Sequence, residues 1–166
     1  MTMHVVVLGC GRVGATLAMA LESEGHSVAV IDRNRESFRR LARGFKGKMI
    51  LGIGIDEDVL RKAGIERAGG FAATTNGDNT NIMSAQIVKV RFKVPRVIAR
   101  IYDPLRAEAY RELGIDTISP TLLGAGMCRD YLVGVPYRSV EDYQAVRGTP
   151  SAWPRGSSGA VPERSR

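Results

Sequence analysis

Long apolar runs are missing from this sequence. No segment approaches the roughly 18 consecutive apolar residues that a membrane-spanning helix needs. The apolar stretch near the N-terminus, residues 5–8, is too short for a signal peptide and runs straight into glycines. A cytoplasmic protein is the expectation. Cysteine is scarce as well: Cys10 and Cys128 offer neither a disulfide framework nor metal-ligand spacing, so no metal is expected. Aromatic residues make up 6%, and no base-reading module is recognisable, which argues against a nucleic-acid partner. Histidine occurs twice. His4 opens the first strand and His26 lies in the turn before the second. Both read as surface or turn residues at the end of the sheet away from its carboxyl edge. Neither Tyr102 nor Tyr110 is followed by a lysine at catalytic spacing. No convincing catalytic acid or base is left.

What is present is a core-forming composition. The chain has 166 residues, 44% of them apolar, which suits one domain of ordinary size. Acids are outnumbered, and the net charge is +7. The excess is concentrated: Arg33, Arg35, Arg39, Arg40, Arg43, Lys46 and Lys48 stand close together against Glu36 alone. This run reads as a solvated face, with a site for an acidic partner or anionic lipid as the alternative.

The most informative stretch is His4 to Gly14, an apolar strand leading into Gly9-Cys10-Gly11-Arg12-Val13-Gly14. A G-x-G-x-x-G turn between strand and helix fits a nucleotide-binding βαβ unit. Gly9 permits the tight turn, Gly11 lets a phosphate approach the backbone, and Gly14 lets the helix pack close. The helix then turns unpaired N–H groups and its positive end toward the phosphates. A second apolar strand ends at Asp32, which can accept the hydroxyls of a ribose. Its charge disfavours a 2′-phosphate but does not separate NAD from ATP or ADP.

Strands are expected at 4–8, 27–32, 48–51, 71–75, 96–101 and 116–118. Helices are expected at 12–24, 35–45, 56–63, 79–91 and from Asp103 to about 113, with a last one over 122–133. The helix over 35–45 would present Phe38, Leu41 and Phe45 as its apolar stripe. Asp103-Pro104 is a strong helix start. Either Asp78 or Asn79 is expected to cap the helix over 79–91. Alternating strands and helices imply an α/β fold, a Rossmann-type doubly wound parallel sheet of six strands in order 3-2-1-4-5-6, as a single domain. In that order the first and fourth strands are neighbours, and their turns flank the ligand crevice. The fourth turn, residues 74–81, is rich in hydrogen-bonding groups. Arg12 is read as reaching across the phosphates. Arg100 interrupts a buried strand and needs an anion, a carboxylate such as Asp78 or Asp103, or backbone carbonyls. Residues 134–166 read as a tail, disordered from about 148.

These motifs resemble the RCK/KTN nucleotide-binding domain, most closely the N-terminal domain of Trk potassium-uptake regulators. The residues that carry the likeness are Gly9 to Gly14, Val30-Ile31-Asp32, Gly54-Ile55-Asp56-Glu57-Asp58-Val59-Leu60, Ala63-Gly64-Ile65, Asn76-Gly77-Asp78-Asn79-Thr80-Asn81 and Val97-Ile98-Ala99-Arg100-Ile101. It covers residues 3–133. The resemblance implies a cytoplasmic regulatory subunit, peripheral on the membrane through a potassium transporter that it gates. NAD or NADH is the implied cofactor, with ATP or ADP as the alternative. The implied contacts are Gly9, Cys10, Gly11, Arg12, Val13, Asp32, Thr75, Asn76 and Arg100, with adenine beside Gly54, Ile55 and Asp56. Gly14, Arg33 and Asp78 complete the candidate set. Homodimers or larger rings would form through late helices, for which Leu123, Met127 and Tyr131 make a stripe. The family's C-terminal domain has no counterpart in the 33 residues after 133. Gly52-Ile53-Gly54-Ile55 departs from the family's usual adenine loop. The rival readings are a small NAD-dependent oxidoreductase and a nucleotide-binding fragment without gating activity of its own.

Overall fold

The computed structural model describes residues 2–145. Six parallel strands form one sheet: β1 (His4–Leu8), β2 (Ser27–Asp32), β3 (Lys48–Leu51), β4 (Gly70–Ala73), β5 (Arg96–Arg100) and β6 (Asp116–Ile118). Their order is β3-β2-β1-β4-β5-β6, as the sequence predicts. Val7 stands beside Val30 on one side and Ala72 on the other. Central strands buried on both faces explain why β1 reads as an unbroken apolar run instead of an alternating one.

The alternation survives in which core each residue joins. Val6, Leu8, Ala29, Ile31, Phe71, Ala73, Val97 and Ala99 pack under α2 (Glu57–Lys62), α3 (Asp78–Val90) and α4 (Pro104–Glu112). Val5, Val7, Val28 and Val30 pack under α1 (Arg12–Ser23) and Leu41. Phe71 is 2% exposed; burying such a ring contributes about 2–3 kcal/mol. The side chain of Asp56 caps α2, and that of Asp103 caps α4 with Pro104 behind it.

Three expectations need correction. The helix predicted over 35–45 is a 3-10 helix, Arg35–Arg40, followed by an irregular segment. Asn34 caps it, and Leu41 turns extended at ψ 142°. Phe38, Leu41 and Phe45 still reach the α1-side core. Three residues make a turn in a 3-10 helix, so the spacing of Phe38 and Leu41 serves it as well as an α-helix. Next, His4 is buried, not a surface residue. Its Nε2 lies 2.7 Å from the Ala63 carbonyl, which can only accept, so Nε2 carries the proton; Nδ1 lies 2.9 Å from Ser27 Oγ. Finally, the folded unit passes the expected boundary at 133. After α5 (Pro120–Leu132) a short helix, α6 (Val140–Gln144), packs back on it. Asp130, fully buried, accepts hydrogen bonds from Arg129, Arg138 and the Tyr143 hydroxyl, which hold the segment in place. The disorder expected from about 148 lies outside the described residues. No helix among the described residues is long and apolar enough to cross a membrane.

A crevice at the parting of the sheet

Between the turns that leave β1 and β4 lies a cleft of about 680 Å³. Its position follows from topology. The chain leaves β1 toward α1 on one face and β4 toward α3 on the other, so the two turns part at the carboxyl edge.

The β1 turn is shaped by contacts that exclude side chains. Gly9 has φ +97°, a left-handed conformation, and a Cβ there would stand 2.8 Å from the Thr75 nitrogen. A Cβ on Gly14 would run into the Gly9 carbonyl and the Thr74 hydroxyl. Thr74 Oγ1 donates to the carbonyls of Leu8 and Gly9 at 3.0 and 3.1 Å, joining the two turns. Gly11 differs. Its φ of −77° suits any residue, and a Cβ would meet no protein atom within 4 Å. Yet Gly11 lines the cleft. The fold itself has no steric need for glycine here.

Asp32, at the end of β2, lines the same cleft. Its Oδ2 accepts the Cys10 N–H at 2.7 Å and its Oδ1 the Asn34 N–H at 2.8 Å. The carboxylate therefore braces both the glycine turn and the chain beyond β2. Cys10 is fully buried. Burial pushes its thiol up to about 11; the neighbouring Asp32 charge adds to this and Arg40 offsets part of it.

Across the cleft, the wall is built around Asn81. This side chain is fully buried, and both of its ends are used. Its Nδ2 donates to the carbonyls of Thr75 and Arg100 at 2.9 and 2.8 Å, and its Oδ1 accepts from the Thr75 N–H and hydroxyl at 2.9 and 2.7 Å. Arg100 is 8% exposed. Its Nη2 donates to the Thr75 carbonyl at 2.8 Å, its guanidinium stacks on Tyr102 at 4.6 Å, and its buried Nε has no hydrogen-bond partner. Neither acid suggested as its structural partner takes that part. Asp78 accepts the backbone N–H groups of Tyr102 and Asp103, and Asp103 caps α4. Among the described residues Arg100 has no carboxylate against it. A buried cation left so is costly unless an anion completes it.

The structure brings Gly9, Gly11, Arg12, Asp32, Arg33, Gly54, Thr75, Asn76 and Arg100 to one cleft. The remaining candidates are not in its lining. Cys10 and Gly14 lie behind the turn as packing. Val13 is exposed on α1, and Ile55 is exposed beyond Gly54. Asp56 is spent on the α2 cap. Asp78 ties α3 to the start of α4; the residue before α3 is Gly77, without the side-chain cap expected from Asp78 or Asn79. Sequence reasoning did not name Leu8, Asn34, Ser37, Arg40, Gly52, Ile53, Thr74, Gly77, Thr80 and Tyr102 individually as site residues, and all of them line the cleft. Thr74 and Thr80 stood in the polar fourth turn, and that composition was the available signal. Arg12, Arg33, Arg40 and Arg100 face Asp32 as the lone acid among the lining residues.

Fold and cleft together define a Rossmann-type domain with a cationic crevice. The TrkA-N domain family model matches residues 5–120, and the chain belongs to that family. Over 117 residues it is 58% identical to the Trk system potassium uptake protein TrkA of Streptomyces coelicolor, covering 70% of this chain and 52% of that protein. The chain thus spans about half the length of that curated relative. Among solved structures it is similar to the GsuK protein bound to ADP, with 26% identity and a TM-score of 0.67, over 78% of this chain and 34% of that one. A GsuK channel bound to NAD has the same fold, at 24% identity and a TM-score of 0.62, over 76% of this chain and 23% of that one.

Proposed function

We propose that this chain is the nucleotide-sensing part of a potassium uptake system. It holds NAD or NADH in the crevice, with ATP or ADP as the alternative adenine nucleotide, and biases a membrane transporter by changing conformation with its ligand. The observation that carries the reading is Arg100, a buried guanidinium in the cleft wall with an unpartnered Nε and no carboxylate against it. A pyrophosphate laid on the start of α1 supplies the missing charge. Asp32, already fixed by two backbone N–H groups, is placed to take the ribose hydroxyls. The ADP and NAD carried by the GsuK proteins support the ligand class. The relatives' name supports the potassium system. The chain's role is then a cytoplasmic one, reaching the membrane through its transporter.

Gating in this scheme is differential binding: a ligand shifts the balance between two states only by its difference in affinity for them. Copies would pair through α5, where Met127 and Tyr131 are 42% and 66% exposed and Leu123 is half-buried. Calorimetric titration with NAD, NADH, ADP and ATP tests the reading. At least one is expected to bind below millimolar, and Arg100→Met and Asp32→Ala each to weaken it at least tenfold, in line with the loss of a charge-assisted contact. Binding by none of the four, or unchanged affinity in both variants, defeats the proposal.

A further inference from the structure

The 3-10 helix that replaces the expected α-helix leaves part of the sheet uncovered. In the parallel register Met49 pairs with Val30 and Leu51 with Asp32, so both side chains lie on the α1 side of edge strand β3. Val30 on that side is fully buried, but Met49 is 54% and Leu51 50% exposed. Ile55, beyond the strand, is exposed too. The segment that stops short of covering them is the basic one. Leu41 and Phe45 anchor it to the α1-side core, and the Lys46 N–H donates to Glu22 on α1. Arg35, Arg39, Arg43 and Lys46 are all exposed. Glu36 is the one acid among them, and Arg39 holds it at 2.8 Å. The result is a fixed surface of cations bordering a row of exposed aliphatic side chains.

We infer that this surface docks directly on an anionic phospholipid bilayer. Charge and shape favour that occupant. Cations near a negatively charged leaflet each add attraction that salt screens, while aliphatic side chains beside them enter the headgroup boundary. A second copy of this chain meeting the same face across a two-fold axis would oppose like charges. The inference does not rest on the nucleotide reading, because Arg39, Arg43, Lys46, Met49 and Leu51 lie outside the cleft lining.

The test is co-sedimentation with phosphatidylcholine vesicles, with and without phosphatidylglycerol. Binding is expected only to the anionic vesicles, and it should fall as salt rises. A variant with Arg39, Arg43 and Lys46 all changed to Glu should bind on the order of a hundredfold more weakly. Met49→Ser with Leu51→Ser should lose about tenfold. Both variants should keep the wild-type far-ultraviolet circular dichroism and nucleotide affinity, which separates loss of the surface from loss of the fold. Equal binding to neutral vesicles, or anionic binding that neither variant weakens, overturns the inference. So does binding to heparin without binding to vesicles, which gives the face to an acidic polymer. Self-association through Met49 and Leu51 without vesicle binding overturns it in favour of a second copy.

Discussion

At the scale of single residues, the glycines of the first turn divide into two kinds. Gly14 is fixed by its neighbours, so Gly14→Ala should cost about 1–3 kcal/mol of stability, the usual cost of overpacking, read as a lower midpoint in urea. Gly11 has open space around it and ordinary backbone angles. Gly11→Ala should leave the urea midpoint within about 0.5 kcal/mol of wild type, as a substitution without a steric conflict does. Nucleotide affinity should nevertheless fall at least tenfold. Equal losses of stability in the two variants would remove the argument for a ligand at Gly11. The cysteines separate in the same way. Cys10 is buried with its thiol pushed up to about 11, and the thiolate is the reactive form. Cys128 is exposed. Iodoacetamide at mildly alkaline pH should therefore label native protein at Cys128 and reach Cys10 only after unfolding, as peptide mass mapping would show.

At the scale of elements, α5 and α6 form a unit closed by Asp130. Burial pushes this carboxyl up, but hydrogen bonds from Arg138, Arg129 and Tyr143 outweigh that and hold it below the usual carboxylate range. A carboxyl lowered on folding stabilises above its ordinary value, and its contribution is lost as pH falls through the folded one. Protection of residues 134–145 from hydrogen exchange should thus persist through mildly acidic pH and fail only below the ordinary carboxylate range. Asp130→Asn should lose that protection at neutral pH, while β1 and β4 stay protected. The elements also show where sequence reading works. β1 and β2 were legible to the residue because apolar runs flanked by turns leave a buried parallel strand few other registers; the edge strands β3 and β6 also keep their expected bounds. The helix over 35–45 was not, because Phe38 and Leu41 satisfy three-residue and 3.6-residue periods alike. Gly9, Gly11, Arg12 and Arg100 were legible from type and spacing. The parts played by Asn81, Thr74 and Asp78 were not, since each bonds to backbone that only the folded sheet brings near.

At the scale of the whole molecule, the prediction is linkage. A ligand that binds only the folded state adds about 2.7 kcal/mol at a hundred times its Kd. For a chain of this size that should raise the melting midpoint by about 5–10 °C. Differential scanning fluorimetry with the four nucleotides would read it, and identical midpoints with and without the tightest binder would contradict binding to the folded state alone. The cleft has one further consequence, which comes from Asn81. Its bonds close as soon as α3 settles on β4 and β5, with every polar atom of its amide engaged. The backbone of the far wall is therefore held in place before any visitor arrives, and a rearrangement on binding falls to the other side of the cleft. Capture should then be limited by diffusion and by long-range attraction to the four arginines. Ionic strength would slow the arrival of a nucleotide far more than it hastens its departure.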